Sequence, residues 1–348
     1  MSLAEARGGR DQARAQVKGG ANPAHIAKAN RATRLERANN TFAAVALEFL
    51  AKRETEGMGA GSVERARRLI EKDLSSIGNL PVAEVSAPVL LAALRKMEQR
   101  GIVESAHRAR GLAGQVFRYA IATGRAERNI AADLIGALER TQTKHFASII
   151  LPSKIGALLR AIYNYHGSAV TIAALKLAPL VFVRPGELRC AEWSELDLDK
   201  AVWDIPAEKM KMKVPHIVPL SDQVITILRD LYPLTGRGKY VFPGVRSVRR
   251  PMSENTVTAA LRYMGFDGDT MTGHGFRAMA RTVLDEELGF PVDHIEHQLA
   301  HAVKDANGRA YNRTTHLPAR RKMMQAWADY LEGLRINVVP GADLGSQD

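Results

Sequence analysis

Residues suited to acid–base and anion chemistry gather late in this 348-residue chain. "TGHGFRAMARTVL" places His274 and Arg277 one helical turn apart, "HIEHQLAH" ends on His301, and "DANGRAYNR" carries Arg309 and Tyr311. Two further groups lie upstream: Arg184 in "RPGEL", and Lys209, Lys211 and Lys213 in "AEKMKMKVP". This set fits a phosphodiester. Arginine offers paired hydrogen bonds to non-bridging oxygens and keeps its charge. A nucleophile is needed as well, and an acid to protonate the departing oxygen. Without a metal, fixed positive charge and positioning must supply most of the rate.

The plainer alternatives are specific. Arg184 taken alone reads as a surface arginine before a Pro-Gly turn. His294, His297 and His301 recur at i, i+3 and i+7 on one helix face, with Glu296 nearby, so a zinc site is the competing metal reading. That set lacks cysteine and an HExxH arrangement, and no cofactor is expected.

The elements that must position these residues are mostly helical. Residues 1–40 hold 8 Lys+Arg against 3 Asp+Glu and read as a basic arm broken at "GGANP". Residues 41–140 form a helical block. Ser62 is placed to cap "VERARRLIEKDL" and Ser86 to cap "APVLLAALRKMEQR", and a long helix closes at Gly124. On that last helix Leu112, Val116, Tyr119 and Ala120 recur at core spacing, leaving Arg108, Arg110 and Arg118 off the stripe. A plain bundle with a solvated face explains this pattern nearly as well as a DNA-gripping module. Residues 141–152 read as a linker. Beyond them "AVWDIP" and "HIVPL" read as strands joined by a lysine-bearing turn, and helices dominate 153–335. Residues 336–348 read as a frayed tail. The fold class is therefore mainly α with a small β-sheet.

Composition bounds the partners. The net charge is +12 with 46% hydrophobic residues, and a sequence pI near 9.9 favours a polyanion such as nucleic acid. One cysteine, Cys190, excludes an internal disulfide framework and suits a reducing compartment. No apolar run approaches a membrane span, and the start lacks a secretory h-region, so a cytoplasmic, nucleoid-associated protein is expected.

The ordered set "RPGEL", a hairpin lysine before "HIVPL", "HGFR", "LAH" and "AYNR" resembles the catalytic domain of tyrosine recombinases, the phage-integrase family. "WDIPAEKMKMKVPHIVPLS" and "TGHGFRAMARTVL" are similar to integrases of satellite phages and genomic islands, and the resemblance spans 41–335. It implies a helical core-binding domain and a mixed catalytic domain closing on duplex DNA as a C-shape. It implies that Tyr311 attacks the phosphate to form a 3′-phosphotyrosine, releasing a 5′-hydroxyl. Arg184 and Arg277 would then hold the oxygens, Lys211 protonate the leaving group, His274 take the tyrosine proton and His301 hydrogen-bond the phosphate. Glu187 would orient the site from behind.

The implied function is integration and excision of a mobile element at double-stranded DNA attachment sites. Monomers in solution would assemble into tetramers on DNA, with host DNA-bending or excision factors assisting. Members of this kind usually carry an N-terminal arm-binding domain, of which "SLAEAR" resembles the tail. Two rivals remain at this point: a type IB topoisomerase, and a non-catalytic regulator on a recombinase scaffold. Tyr330 in "WADYLEGL" is a second late tyrosine, and its apolar helical setting reads as packing.

Overall fold

The computed structural model describes residues 40–141, 147–301 and 316–337 continuously, with scattered residues before 40. Arg309 and Tyr311 lie outside the described residues. The chain divides into two compact units, Met1–Thr143 and Lys144–Asp348.

In the first unit, α1 (Phe42–Thr55) starts where Thr41 accepts a hydrogen bond from the Ala44 amide. α2 (Ala60–Arg68) begins two residues before Ser62, after Gly59, and runs into a π-helical turn, Leu69–Asp73. Ser62 is thus inside the helix. A short α3 (Ser75–Gly78) leads to α4 (Ala87–Gln99), which follows Ser86 without a side-chain cap bond. Pro88 in its first turn has a preset φ suited to a helix start. α5 (Val103–Ala122) ends just before Gly124, whose φ of 72° breaks the helix. Leu112, Val116 and Ala120 of α5 are buried with Phe42, Leu50 and Leu90. Tyr119 sits at the edge of this core, donating to Glu48, which also receives Arg125 at 2.6 and 2.8 Å.

The second unit is built around a very apolar helix. Residues expected in the linker already pack here: Ser148 donates to the Gly275 carbonyl at 2.7 Å and Ile149 is buried. α6 (Pro152–Tyr163) precedes α7 (Ala169–Val181), where the Ser168 hydroxyl accepts from the Thr171 amide. Ala174, Leu175, Leu177 and Val181 of α7 are buried, as expected for a central helix. α8 (Pro185–Arg189) follows at once. β1 (Leu196–Asp197), β2 (Val202–Ile205) and β3 (His216–Pro219) form an antiparallel sheet in the order β1-β2-β3. Pairing between β2 and β3 stops at Ile205 opposite His216.

α9 (Asp222–Thr235) is followed by a second hairpin, β4 (Pro243–Gly244) and β5 (Ser247–Pro251), which the hydropathy pattern did not reveal. α10 (Thr256–Tyr263), α11 (Gly275–Glu286), α12 (Val292–Gln298) and α13 (Leu317–Ile336) complete the unit. Trp327 of α13 is buried against Phe182 and stacks on Tyr330, so Tyr330 packs on the core as expected.

Candidate functional site

α7 ends at Phe182, which adopts a left-handed φ of 37°, and the chain turns to present Arg184 at the start of α8. Glu187, buried in the first turn of α8, fixes that arginine twice. Its carboxylate accepts from the Arg184 amide at 2.9 Å and from Nη1 at 2.8 Å. The Arg184 Nη2 donates to the Ala300 carbonyl at 3.2 Å. Its side chain is 19% exposed, which removes the reading of a free surface arginine.

Arg277 reaches the same place from α11. Nη1 donates to the Phe182 carbonyl at 2.9 Å and Nη2 to the Leu299 carbonyl at 2.6 Å. The two guanidiniums thus hold neighbouring carbonyls, those of residues 299 and 300, and lie side by side. Ala300 itself has a left-handed φ of 49°. Non-glycine residues in that region are strained, so two of the three carbonyls that aim these arginines sit on strained backbone. Burial, then the Arg184 charge, pulls the Arg277 pKa down to about 10. Arg277 stays cationic at neutral pH, and its charge beside that of Arg184 is one an anion would relieve. Each guanidinium has five N–H donors, so donors remain after these bonds.

The histidines complete the cluster. His301 Nε2 lies 3.2 Å from Arg277 Nη2, and Nδ1 lies 2.6 Å from Glu296 Oε2. Arginine can only donate, so Nε2 accepts and Nδ1 carries the proton given to Glu296. His274 precedes the first residue of α11. Burial lowers its pKa first, followed by the charges of Arg277, Arg184 and, more weakly, Lys211. Arg184, Arg277, His274 and His301 therefore share one positive pocket, with Lys211 close enough to be felt. Gly275 lets this corner close: a methyl there would run into the Ala147 carbonyl.

The lysine loop differs from a continued hairpin. Because β-pairing ends at Ile205 and His216, the three lysines do not share a strand face. Lys209 ion-pairs with Glu192 at 2.7 Å and with Glu195, and donates to the Cys190 carbonyl at 2.8 Å. Burial pushes the Lys209 pKa down, but the hydrogen bonds to Glu192 and Glu195 outweigh it and the net shift is upward. Met210 is buried, Lys211 is exposed, and Lys213 is exposed with a left-handed φ of 55°.

The three histidines of that zinc-spaced helix face turn to different partners. His301 is turned toward Arg277 and Glu296, while His294 and His297 meet the ring of His316 at 4.6 and 5.3 Å between centroids. Among the described residues no group of three or more His, Cys, Asp or Glu is arranged to hold a metal ion.

In the first unit Arg108 is exposed and pairs with Glu104 at 3.1 Å, Arg110 donates to the Ala131 carbonyl at 3.5 Å, and Arg118 is exposed. At about 100° per residue Arg108 and Arg110 point to opposite sides of α5, so the three do not make one basic stripe.

Sequence reasoning placed Glu296 only beside the zinc spacing and missed its hold on His301, the need for Gly275 and the ion pairs of Lys209. Glycine between His274 and Phe276 was the one visible signal, since glycine is required where backbones approach closely.

Paired, anchored arginines with flanking histidines on a mainly helical scaffold make a cationic cluster suited to an anion. The chain matches the phage integrase central domain over residues 42–137 and the phage integrase family over 149–316. It is 37% identical to the integrase of Enterobacteria phage P4, covering 95% of this chain and 78% of that protein. It is 35% identical to the integrase of Shigella phage Sf6, covering 95% and 84%. Among solved structures, lambda integrase (75-356), as a dimer bound to a COC' core site, aligns with a TM-score of 0.57 at 18% identity, covering 77% of this chain and 97% of that one. The Tn1549 transposon integrase (aa 82-397), in complex with circular intermediate DNA, aligns at 0.58 with 13% identity, covering 80% and 98%. The chain belongs to the phage integrase family and is a tyrosine-type site-specific recombinase of the satellite-phage and prophage kind. These relatives favour that activity over a topoisomerase or a non-catalytic regulator.

Proposed function

We propose that this recombinase integrates and excises a mobile element, cutting and rejoining duplex DNA at attachment sites through a 3′-phosphotyrosine on Tyr311. The observation that carries the site assignment is the side-by-side seating of Arg184 and Arg277 on adjacent carbonyls, flanked by His274 and His301. Such a pocket matches a phosphodiester whose transition state gathers charge on its non-bridging oxygens.

In this reading Arg184 and Arg277 each direct their remaining donors at those oxygens. Glu187 and Glu296 act from behind: Glu187 fixes the Arg184 guanidinium, and Glu296 holds the ring of His301. His274, kept neutral by burial and by its cationic neighbours, takes the phenol proton as the phosphorus–oxygen bond forms. Lys211 gives its proton to the 5′-oxygen as that bond breaks. Lys209 is unsuited to this task because two carboxylates hold it. The phosphotyrosine keeps the bond energy, so a 5′-hydroxyl from another strand can reverse the step without ATP.

The first unit is the proposed core-type DNA-binding domain, its candidate DNA contacts being Arg110 and Arg118 on one side of α5 and Arg108 on the other, and the second unit the catalytic domain. The described relatives include integrase dimers and a tetramer on DNA, which supports assembly of protomers on the attachment site. Host DNA-bending or excision factors are a further proposed partner class.

The test is covalent trapping on a nicked duplex bearing the element's attachment core, run in EDTA. Cleavage should proceed, because the assigned groups are all side chains. Loss of cleavage in EDTA with recovery on adding zinc would overturn the metal-free assignment.

A further inference from the structure

The β4–β5 hairpin stands out from the second unit. Val245 at its tip is 95% exposed and Val248 69% exposed, so this segment contributes little to the core. Arg246, Arg249 and Arg250 are all exposed. Among the described residues none of the three has an acidic partner. A solvated surface hairpin is the bland reading, and two observations argue against it.

First, the base of the hairpin is tied to the phosphate site. Arg189, at the end of α8, donates to the Met252 carbonyl at 2.9 Å, and the Met252 amide donates to the Phe242 carbonyl at 2.7 Å. The short helix that starts at Arg184 therefore ends on the hairpin. Second, the hairpin walls an open groove of about 720 Å³ whose lining has no carboxylate. Arg246 and Arg250 line it, together with the hydroxyls of Ser168, Thr171, Ser253 and Thr256. Cationic forks and hydroxyl donors without an acid suit a strand of linked phosphates.

We propose that the β4–β5 hairpin grips the DNA backbone beside the cleavage point, with Arg246 and Arg250 on phosphates in the groove. Arg249, which alternates with Arg250 along β5, faces the other way and contacts a neighbouring phosphate. This rests on the recombinase reading given above. These contacts position the duplex and take no part in bond breaking.

The experiment measures binding of the full chain to a labelled duplex of scrambled sequence by fluorescence anisotropy across a KCl series. Each phosphate contact removed lowers the slope of log affinity against log salt by about 0.9. Arg246→Ala, Arg249→Ala and Arg250→Ala should each lower it by about that much, and the triple variant by about 2.7. Arg229→Ala, which removes an exposed arginine of α9, controls for the loss of charge and should leave the slope unchanged. An unchanged slope in the triple variant, or a slope loss matched by Arg229→Ala, would each overturn the proposal. The two readings fail separately. A wild-type chain that cannot be trapped while the slope still falls refutes the recombinase chemistry alone; normal trapping with an unchanged slope refutes the hairpin contact alone.

Discussion

Arg184 is held by Glu187 and by the Ala300 carbonyl in a geometry only a planar fork satisfies. Arg184→Lys should therefore be nearly as damaging as Arg184→Ala, each slowing single-turnover cleavage by on the order of 10²–10³. Near-normal cleavage by Arg184→Lys would remove it from the transition state. Lys211→Ala should be slow on a normal substrate and recover when the scissile 5′-oxygen is replaced by sulfur, because a thiolate leaves without a proton. Lys209→Ala should show no such sulfur-specific recovery, since Lys209 is engaged by Glu192 and Glu195. Rescue confined to Lys209→Ala would exchange the two roles. His274 should also set the acid limb of the pH–rate profile. Its pKa is lowered by burial and by Arg277, so cleavage should persist below pH 6.5, the ordinary histidine value, and fade as pH drops further. A limb above that value would contradict the assignment.

Elements bring these residues together at places where the backbone is least regular. Phe182 and Ala300, both at left-handed φ, supply carbonyls for Arg277 and Arg184. Gly275 allows the segment at Ala147 and Ser148 to close over the start of α11. Gly275→Ala should destabilise the fold by about 1–3 kcal/mol through overpacking. It should also lower trapping more than an alanine at exposed Gly111 of α5, where nothing lies within contact. Thermal melts and trapping yields on both variants check this. The helices were legible because their apolar period and their glycine stops are local signals: α5 ends before Gly124 and α7 is apolar nearly throughout. Ser62 misled because a serine inside an amphipathic helix looks like a cap until the helix is seen to start at Ala60, after an extended Gly59. The lysine loop was overextended as strand, since β-pairing depends on a partner that a single segment does not reveal. The β4–β5 hairpin escaped notice because its two exposed strands carry no alternating apolar signal.

Across the second unit a buried polar spine lies close enough to Arg184 and Arg277 to feel their charges. His216 Nε2 donates to the Gln298 carbonyl at 3.1 Å, and Arg320 donates to the Gln298 side chain at 2.7 and 2.9 Å. Burial, then the Arg320 charge, depresses the His216 pKa to about 3. Between about 3 and its ordinary value of about 6.5 the unfolded chain binds a proton that the folded chain refuses. Stability from this group is thus complete above about pH 6.5 and falls as pH drops toward 3, by up to about 1.4 kcal/mol per pH unit. Denaturant melts at pH 7 and pH 5 should show a smaller loss in His216→Gln than in the native chain, and an equal loss would refute this. His216 was not singled out from the sequence, because a lone histidine in a strand gives no hint of the arginine and glutamine that meet it from α12 and α13. The order of the five motifs, by contrast, was readable at once, since it depends on spacing rather than on contacts.

If Tyr311 is the nucleophile of the Arg184–Arg277 site, it carries the DNA after cleavage. The direct measurement traps the full chain on the nicked duplex, digests the adduct with protease and nuclease, and finds the nucleotide-bearing peptide by mass spectrometry. The modification should fall on Tyr311, and Tyr311→Phe should form no adduct while binding DNA almost as the native chain does. A nucleotide on Tyr330 or another residue, or an adduct that persists in Tyr311→Phe, would contradict it.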